Sequence, residues 1–175
     1  MKRNGIPMDK YIAVNWTNEV DIANIGAEAA KGLKRGTNVA GGQDHPLIQQ
    51  IIKDLYDKNA GSGDRKHLND IYYNLGLAMY STVFEGARLA IKQDGWPLTP
   101  AKMKKGLESL RNFDANGLLA PVTVTAKDHG GGGKTRIDMW DGTKWVAQTD
   151  WFSAYDDIVM EVVKKESAEF AKSNP

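Results

Sequence analysis

No cysteine occurs among the 175 residues. Disulfides and thiolate metal sites are therefore excluded, while the compartment stays open, because many exported proteins also lack cysteine. Histidine is scarce, with three in the chain: His45, His67 and His129. None has a second histidine three or four residues away, so no zinc site is expected. Charge of one sign is lacking too. The 23 basic residues are balanced by 22 acidic ones, leaving a net charge of +1. The basic residues are scattered, which gives no reason to expect nucleic acid. No long apolar run is present either. The most apolar stretch, Ile71 to Ile91, contains Asn74, Glu85 and Arg88, and reads as a buried helix rather than a membrane span. Met1-Lys2-Arg3 looks like the start of a signal peptide, but no apolar segment follows it, so none is expected in this chain. There is no G-x-S-x-G, so Ser81 and Ser153 sit in no nucleophile elbow.

The composition, 41% hydrophobic and 26% charged, fits a globular protein of one domain or two small lobes. Lys10 to Val14 reads as a short buried strand running into the polar loop Asn15-Trp16-Thr17-Asn18-Glu19. Asp21 to Ala30 has helical spacing, Gly32 ends it, and Leu33 to Ala40 reads as extended. His45-Pro46 opens an amphipathic helix with Leu47, Ile48, Ile51, Ile52 and Leu55 on one face. A long helix follows from about Asn69 to Lys92. It is apolar on most sides and is expected to pack against several neighbours, and Asp94-Gly95 closes it. Thr99-Pro100 is an N-cap with proline at the first helical position. Val122 to Thr125 alternates as a strand. Arg136–Trp140 and Lys144–Ala147 are strands joined at Asp141-Gly142, a hairpin signal. A last helix starts near Ser153, with Ile158, Val159, Val162 and Val163 on one face, and Asp156-Asp157 complement its dipole. The fold class is α/β.

Three features invite a chemical reading. Asp128-His129-Gly130-Gly131-Gly132-Gly133-Lys134-Thr135 looks like a phosphate cradle. However, a phosphate loop needs glycine six residues before its lysine and a helix after it. Here the glycine position is Asp128, and the following residues alternate as a strand. The run reads as a bend between strands, with glycine permitting positive φ. Asp128-His129 reads as a turn residue and its solvated neighbour rather than an acid–base pair. Asn15-Trp16 follows a strand directly, and ligands of open α/β sheets lie beyond the carboxyl ends of strands. An aromatic beside an amide suits a small polar ligand; packing of a loop tryptophan on the surface is the other reading. Tyr72-Tyr73-Asn74 opens the long helix with two rings and an amide, and core packing competes with a ligand role there too.

The order of pieces resembles the C-terminal half of a branched-chain amino-acid-type (Leu/Ile/Val-binding, type I) periplasmic binding protein of an ABC transporter. The residues that carry the resemblance are Gly5-Ile6-Pro7 with Lys10 to Trp16, Ala29-Ala30-Lys31-Gly32, His45-Pro46, Tyr72 to Gly76, Glu85 to Ala90, Leu98-Thr99-Pro100, Phe113 to Val122 and Asp128 to Gly131. No single motif is specific; their order and spacing are. The resemblance implies a periplasmic-binding-protein type I fold with incomplete Rossmann-like lobes. Residues 1–37 would belong to the C-terminal lobe, 38–135 to the second portion of the N-terminal lobe, and 136–175 would return to the C-terminal lobe. The glycine run would then lie near a hinge. The resemblance further implies non-catalytic capture of an amino acid or a similar aromatic or aliphatic acid, with no cofactor, in the periplasm, for delivery to an ABC permease. Asn15, Trp16, Tyr73 and Asn74 would line the ligand site. On this resemblance the N-terminal half is missing, so the chain would dimerise or require that half. A sensory ligand-binding module of the same fold, or a small α/β enzyme, are the alternatives.

Overall fold

The computed structural model of the protein describes residues 2–174; Met1 and Pro175, the outer ends of the expected segments 1–37 and 136–175, lie outside the described residues. One mixed sheet has the strand order β1-β2-β3-β4, formed by β1 (Ile12–Ala13), β2 (Lys34–Thr37), β3 (Arg136–Trp140) and β4 (Trp145–Ala147). β1 runs parallel to β2, with Ala13 opposite Arg35. β2 and β3 are antiparallel, with Thr37 opposite Arg136. β3 and β4 form the expected hairpin. Its turn is built on Asp141, whose carboxylate accepts from the Lys144 and Thr143 amides and from the Thr143 hydroxyl, while Gly142 takes φ of 113°. Those bonds, the Lys144 amide first, hold the Asp141 carboxyl down at about 2. An NMR titration is expected to show this carboxylate ionised throughout the ordinary acid range. The hairpin's contribution to stability is then present above the usual aspartate value and lost only as pH falls through about 2.

Two helices cover the first part of the sheet, α1 (Glu19–Ile25) and α2 (Ala27–Ala30). Asn18 starts α1 with a capping box to Asp21. One helix is expected over 21–30; Gly26, at φ of 91°, divides it in two. The sheet's own core is Ala13, Ile22, Ala30, Leu33, Trp140 and Trp145.

After Thr37 the chain leaves this sheet for a second layer. Val39 bridges Leu119, and α3 (Pro46–Asp54), α4 (Ile71–Asp94) and α5 (Pro100–Leu107) follow. All three start as their residues dictate, with His45, Asp70 and Thr99 side chains accepting from first-turn amides. Two further apolar clusters form here. One unites Val39, Ile71, Ala78, Leu118 and Leu119, and the other Ile48, Ile52 and Leu68. The last helix, α6 (Asp156–Ser173), buries no residue.

Three expectations need correction. Lys10–Val14 is not a buried strand. β1 has two residues and a single neighbour, and Ile12 and Val14 are exposed because nothing packs on β1's outer side. Val122–Thr125 is no strand: its backbone meets only isolated partners, with Val122 exchanging bonds with Phe113 and Thr125 with Asp128. Arg111 reaches in to donate to the Val124 carbonyl, so a side chain takes the bond a ladder would need. Finally, α4 is not enclosed on most sides. α5 covers Gly86 and Ala90, but Met79, Tyr80 and Phe84 face outward.

Candidate functional site at the carboxyl end of the first strand

The loop after β1 meets the N-terminus of α4. Asp70 caps α4 by accepting from the Tyr72 amide at 2.8 Å, which sets Tyr72 beside the loop. The Trp16 and Tyr72 rings lie 5.9 Å apart and tilted by 34°, and the Tyr72 hydroxyl donates to the Trp16 carbonyl at 3.1 Å. Asn15, half-buried, lines the crevice between them together with Thr37, Asn38 and Leu75. That crevice holds about 10 Å³, room for one water molecule at most. The outer faces are open instead, with Trp16 55% and Tyr72 44% exposed. The pair is therefore an aromatic platform with one wall.

The four residues singled out by sequence divide between two surroundings. Asn15 and Trp16 stand at the platform. Tyr73 turns away, packing with Leu77 against Ile48, Ile52 and Leu68, and burial raises its phenol above the usual tyrosine value. Asn74 is fully buried and donates from Nδ2 to the Ala40 and Gly42 carbonyls, both at 2.8 Å. It shapes the loop that leaves β2 and is not at the platform's surface. The tyrosine beside Trp16 is Tyr72. Helical spacing carried a signal for this: Tyr73 and Leu77, four apart, share the face toward α3, whereas Tyr72 lies about 100° away on the face of Leu75.

Glu19, Arg35 and Asp138 also bear on the site, though no sequence motif marks them. Arg35 and Asp138 point into the interior from paired strands. The Arg35 guanidinium lies 3.9 Å above the Trp145 ring and donates from Nη1 to the Thr17 carbonyl at 2.7 Å. Burial is the main influence on it and pulls its pKa down to about 10, against the opposing pull of Glu19 and Asp138, so it is charged at neutral pH. The available signal was Arg35 alternating with Thr37 along a strand whose inward side is a core.

The glycine run forms a tight bend before β3, and Gly131, Gly132 and Gly133 all have positive φ. The Thr135 hydroxyl then donates to the Thr37 carbonyl at 3.0 Å, so the two segments passing between the layers lie side by side. A strand, not a helix, follows the run, and no helix N-terminus stands behind it to hold phosphate. Gly132→Ala is expected to cost about 1–2 kcal/mol, because an L side chain at φ of 110° is sterically strained; urea unfolding measures it. Asp128 accepts from the Gly130 amide, as a turn residue does, and His129 lies 3.0 Å from Glu108 on the surface. Among the described residues, no cluster of three His, Cys, Asp or Glu side chains could hold a metal ion, and no helix is long and apolar enough to cross a membrane.

A protein described as an ABC transporter permease from the Pseudomonas fluorescens group superposes with a TM-score of 0.86 at 30% sequence identity, over 98% of this chain and 44% of that one. A branched-chain amino acid ABC transporter from Thermus thermophilus, solved with bound valine, superposes with a TM-score of 0.67 at 20% identity, over 87% of this chain and 41% of that one. The chain thus spans less than half the length of either. No protein-family model and no curated protein matches it. The α/β fold is the one expected, that of type I periplasmic binding proteins.

Proposed function

We propose that the chain is part of a two-lobed solute-binding protein that serves an ABC transporter, without catalysis. The observation that carries this reading is the position of the Trp16–Tyr72 platform. It lies beyond the carboxyl end of β1, where the sheet's core and the helical clusters meet, and clefts between such bodies are where small ligands bind. The clusters also support a division into residues 1–37 and 136–175 as one lobe and 38–135 as a portion of the other. Every member of the sheet's core comes from the first two segments, and every member of the other clusters from the third. Both solved neighbours are ABC transporter components, and the one with valine bound makes an amino acid or similar small organic acid the solute class to test. Delivery to a permease, from the periplasm, belongs to this reading.

Asn15, Trp16 and Tyr72 touch the solute on this account, while Tyr73 and Asn74 hold the start of α4 in place. One wall does not make a cleft, so the second is supplied by further polypeptide, the equivalent of the neighbours' remaining length. Isothermal calorimetry with L-valine, L-leucine and aromatic acids tests the reading. The protein completed by that polypeptide is expected to bind one of them, and Trp16→Ala to weaken binding at least tenfold. Unchanged affinity in Trp16→Ala would remove the platform from the site. Micromolar binding by the 175 residues alone would show that no second wall is needed.

A further inference from the structure

Among the described residues, six buried polar side-chain atoms find no hydrogen-bond partner within the protein, and five of them belong to Arg35 and the groups around it. They are Glu19 Oε1, Arg35 Nε and Nη2, Asp138 Oδ2 and Trp145 Nε1. Burying polar atoms without partners is costly, and a buried ion pair adds little net stability over well-packed apolar residues. Stability alone therefore does not account for the cluster. Its remaining contacts point elsewhere. Arg35 holds the Thr17 carbonyl, and its Nη2 stands 3.8 Å from Asp138 Oδ2. Gly41, just past the crossing from sheet to helices, leaves the guanidinium its space: a Cβ there would collide with Nη2. Two residues beyond Thr17, Glu19 Oε2 accepts from the Ile71 amide at 3.1 Å. That amide belongs to the first residue of α4, at the positive end of the helix dipole.

We propose that Arg35 is the positioning residue of the aromatic platform, holding the Trp16 loop through the Thr17 carbonyl, while Glu19, two residues further on, fastens that loop to the start of α4. The clasp thus spans the junction on which the proposed function rests, but it is defined by contacts that need no solute. The charges that act on Glu19 are Arg35 and Asp70; those that act on Arg35 are Glu19, Asp138, Arg136 and Asp70. Burial is the main influence on Glu19 and raises its carboxyl above the usual value, against bonds to its own and the Ile71 amide and against Arg35. Its ionisation therefore costs stability as pH rises from the usual glutamate range through the raised value. Without the guanidinium, the carboxyl rises further and the clasp becomes pH-sensitive.

Amide exchange at Ile71, followed by NMR and corrected for the intrinsic rate, reads the clasp directly. Arg35→Met is expected to speed that exchange at least tenfold and to make it pH-dependent above the usual glutamate range. Adding Glu19→Gln should abolish the pH dependence, since an amide oxygen accepts at any pH. A pH dependence that survives in the double variant, or an unchanged Ile71 amide in Arg35→Met, would overturn the proposal. Should Arg35→Met fail to fold, Glu19→Ala alone decides, because it removes the acceptor that Glu19→Gln keeps. With Arg35 intact it is expected to speed Ile71 exchange severalfold while the Asp141 turn amides stay as they were, and a wild-type Ile71 amide would refute the clasp. The calorimetric test above can fail while this one succeeds, and the reverse.

Discussion

Replacing Gly106 by alanine is expected to destabilise the protein by about 3 kcal/mol or more, at the top of the range for overpacked cores. The reason lies where α4 and α5 cross. A Cβ on Gly106 would run into the Gly86 carbonyl oxygen, and it would also stand 2.8 Å from both the Ala90 Cβ and the Ala90 amide nitrogen. Two of those three atoms are backbone, so no rotamer change relieves the clash, and the helices must separate. Gly86 faces the same seam, where its own Cβ would meet Leu107, so the closeness is matched from both sides. Gly76, in the same helix α4, has nothing within 4 Å of its Cβ position. Gly76→Ala should therefore raise stability by about 0.4–1 kcal/mol through helix propensity and a less free unfolded chain. Urea denaturation of the two variants checks the contrast. Gly106→Ala should lower the melting temperature by roughly 6–12 °C. A loss under about 1 kcal/mol would mean that the α4–α5 seam is looser than the structure has it.

The second large effect concerns association. α6 buries nothing, and Ile158, Val159 and Val162 are all more than half exposed. On α4, Met79, Tyr80 and Phe84 are more than 60% exposed, in and just after β1 Ile12 and Val14 are exposed, and a groove of about 830 Å³ is lined by Met8, Tyr11, Ala13, Ile25 and Leu33. Exposed apolar surface spread over three elements is more than a monomer ordinarily leaves in water, and β1 also presents an unpaired edge. The 175-residue chain is therefore expected to show concentration-dependent self-association in sedimentation velocity at micromolar concentrations. Phe84→Lys together with Val162→Lys should shift it strongly toward monomer. The melting temperature should change little, because neither side chain leaves a packed environment. A compact monomer at every concentration would show that these faces need no cover.

Local chemistry made much of the fold readable. The hairpin at Asp141-Gly142, the proline-started helices at Pro46 and Pro100 and the Asp94-Gly95 stop each depend on residues within a few positions of one another. Val122–Thr125 alternates in sequence, but all four residues are half-buried, and Arg111 takes the Val124 carbonyl. Asn15 and Trp16 were legible as a strand-end loop. For Tyr72 and Tyr73, spacing separates the two faces, Tyr73 with Leu77 and Tyr72 with Leu75, but not which neighbouring element each face meets.

What the chain determined alone is the α/β order of its elements, their caps and turns, and the glycine-only bend before β3, because each arises from backbone sterics and hydrogen bonds between near neighbours. Tertiary structure decided which faces are covered, which tyrosine joins Trp16, and that Glu19, Arg35 and Asp138 come together from segments 16 to 119 residues apart. Burial and electrostatic contact are properties of distance in space, and no local pattern records which distant charge will share a charge's interior.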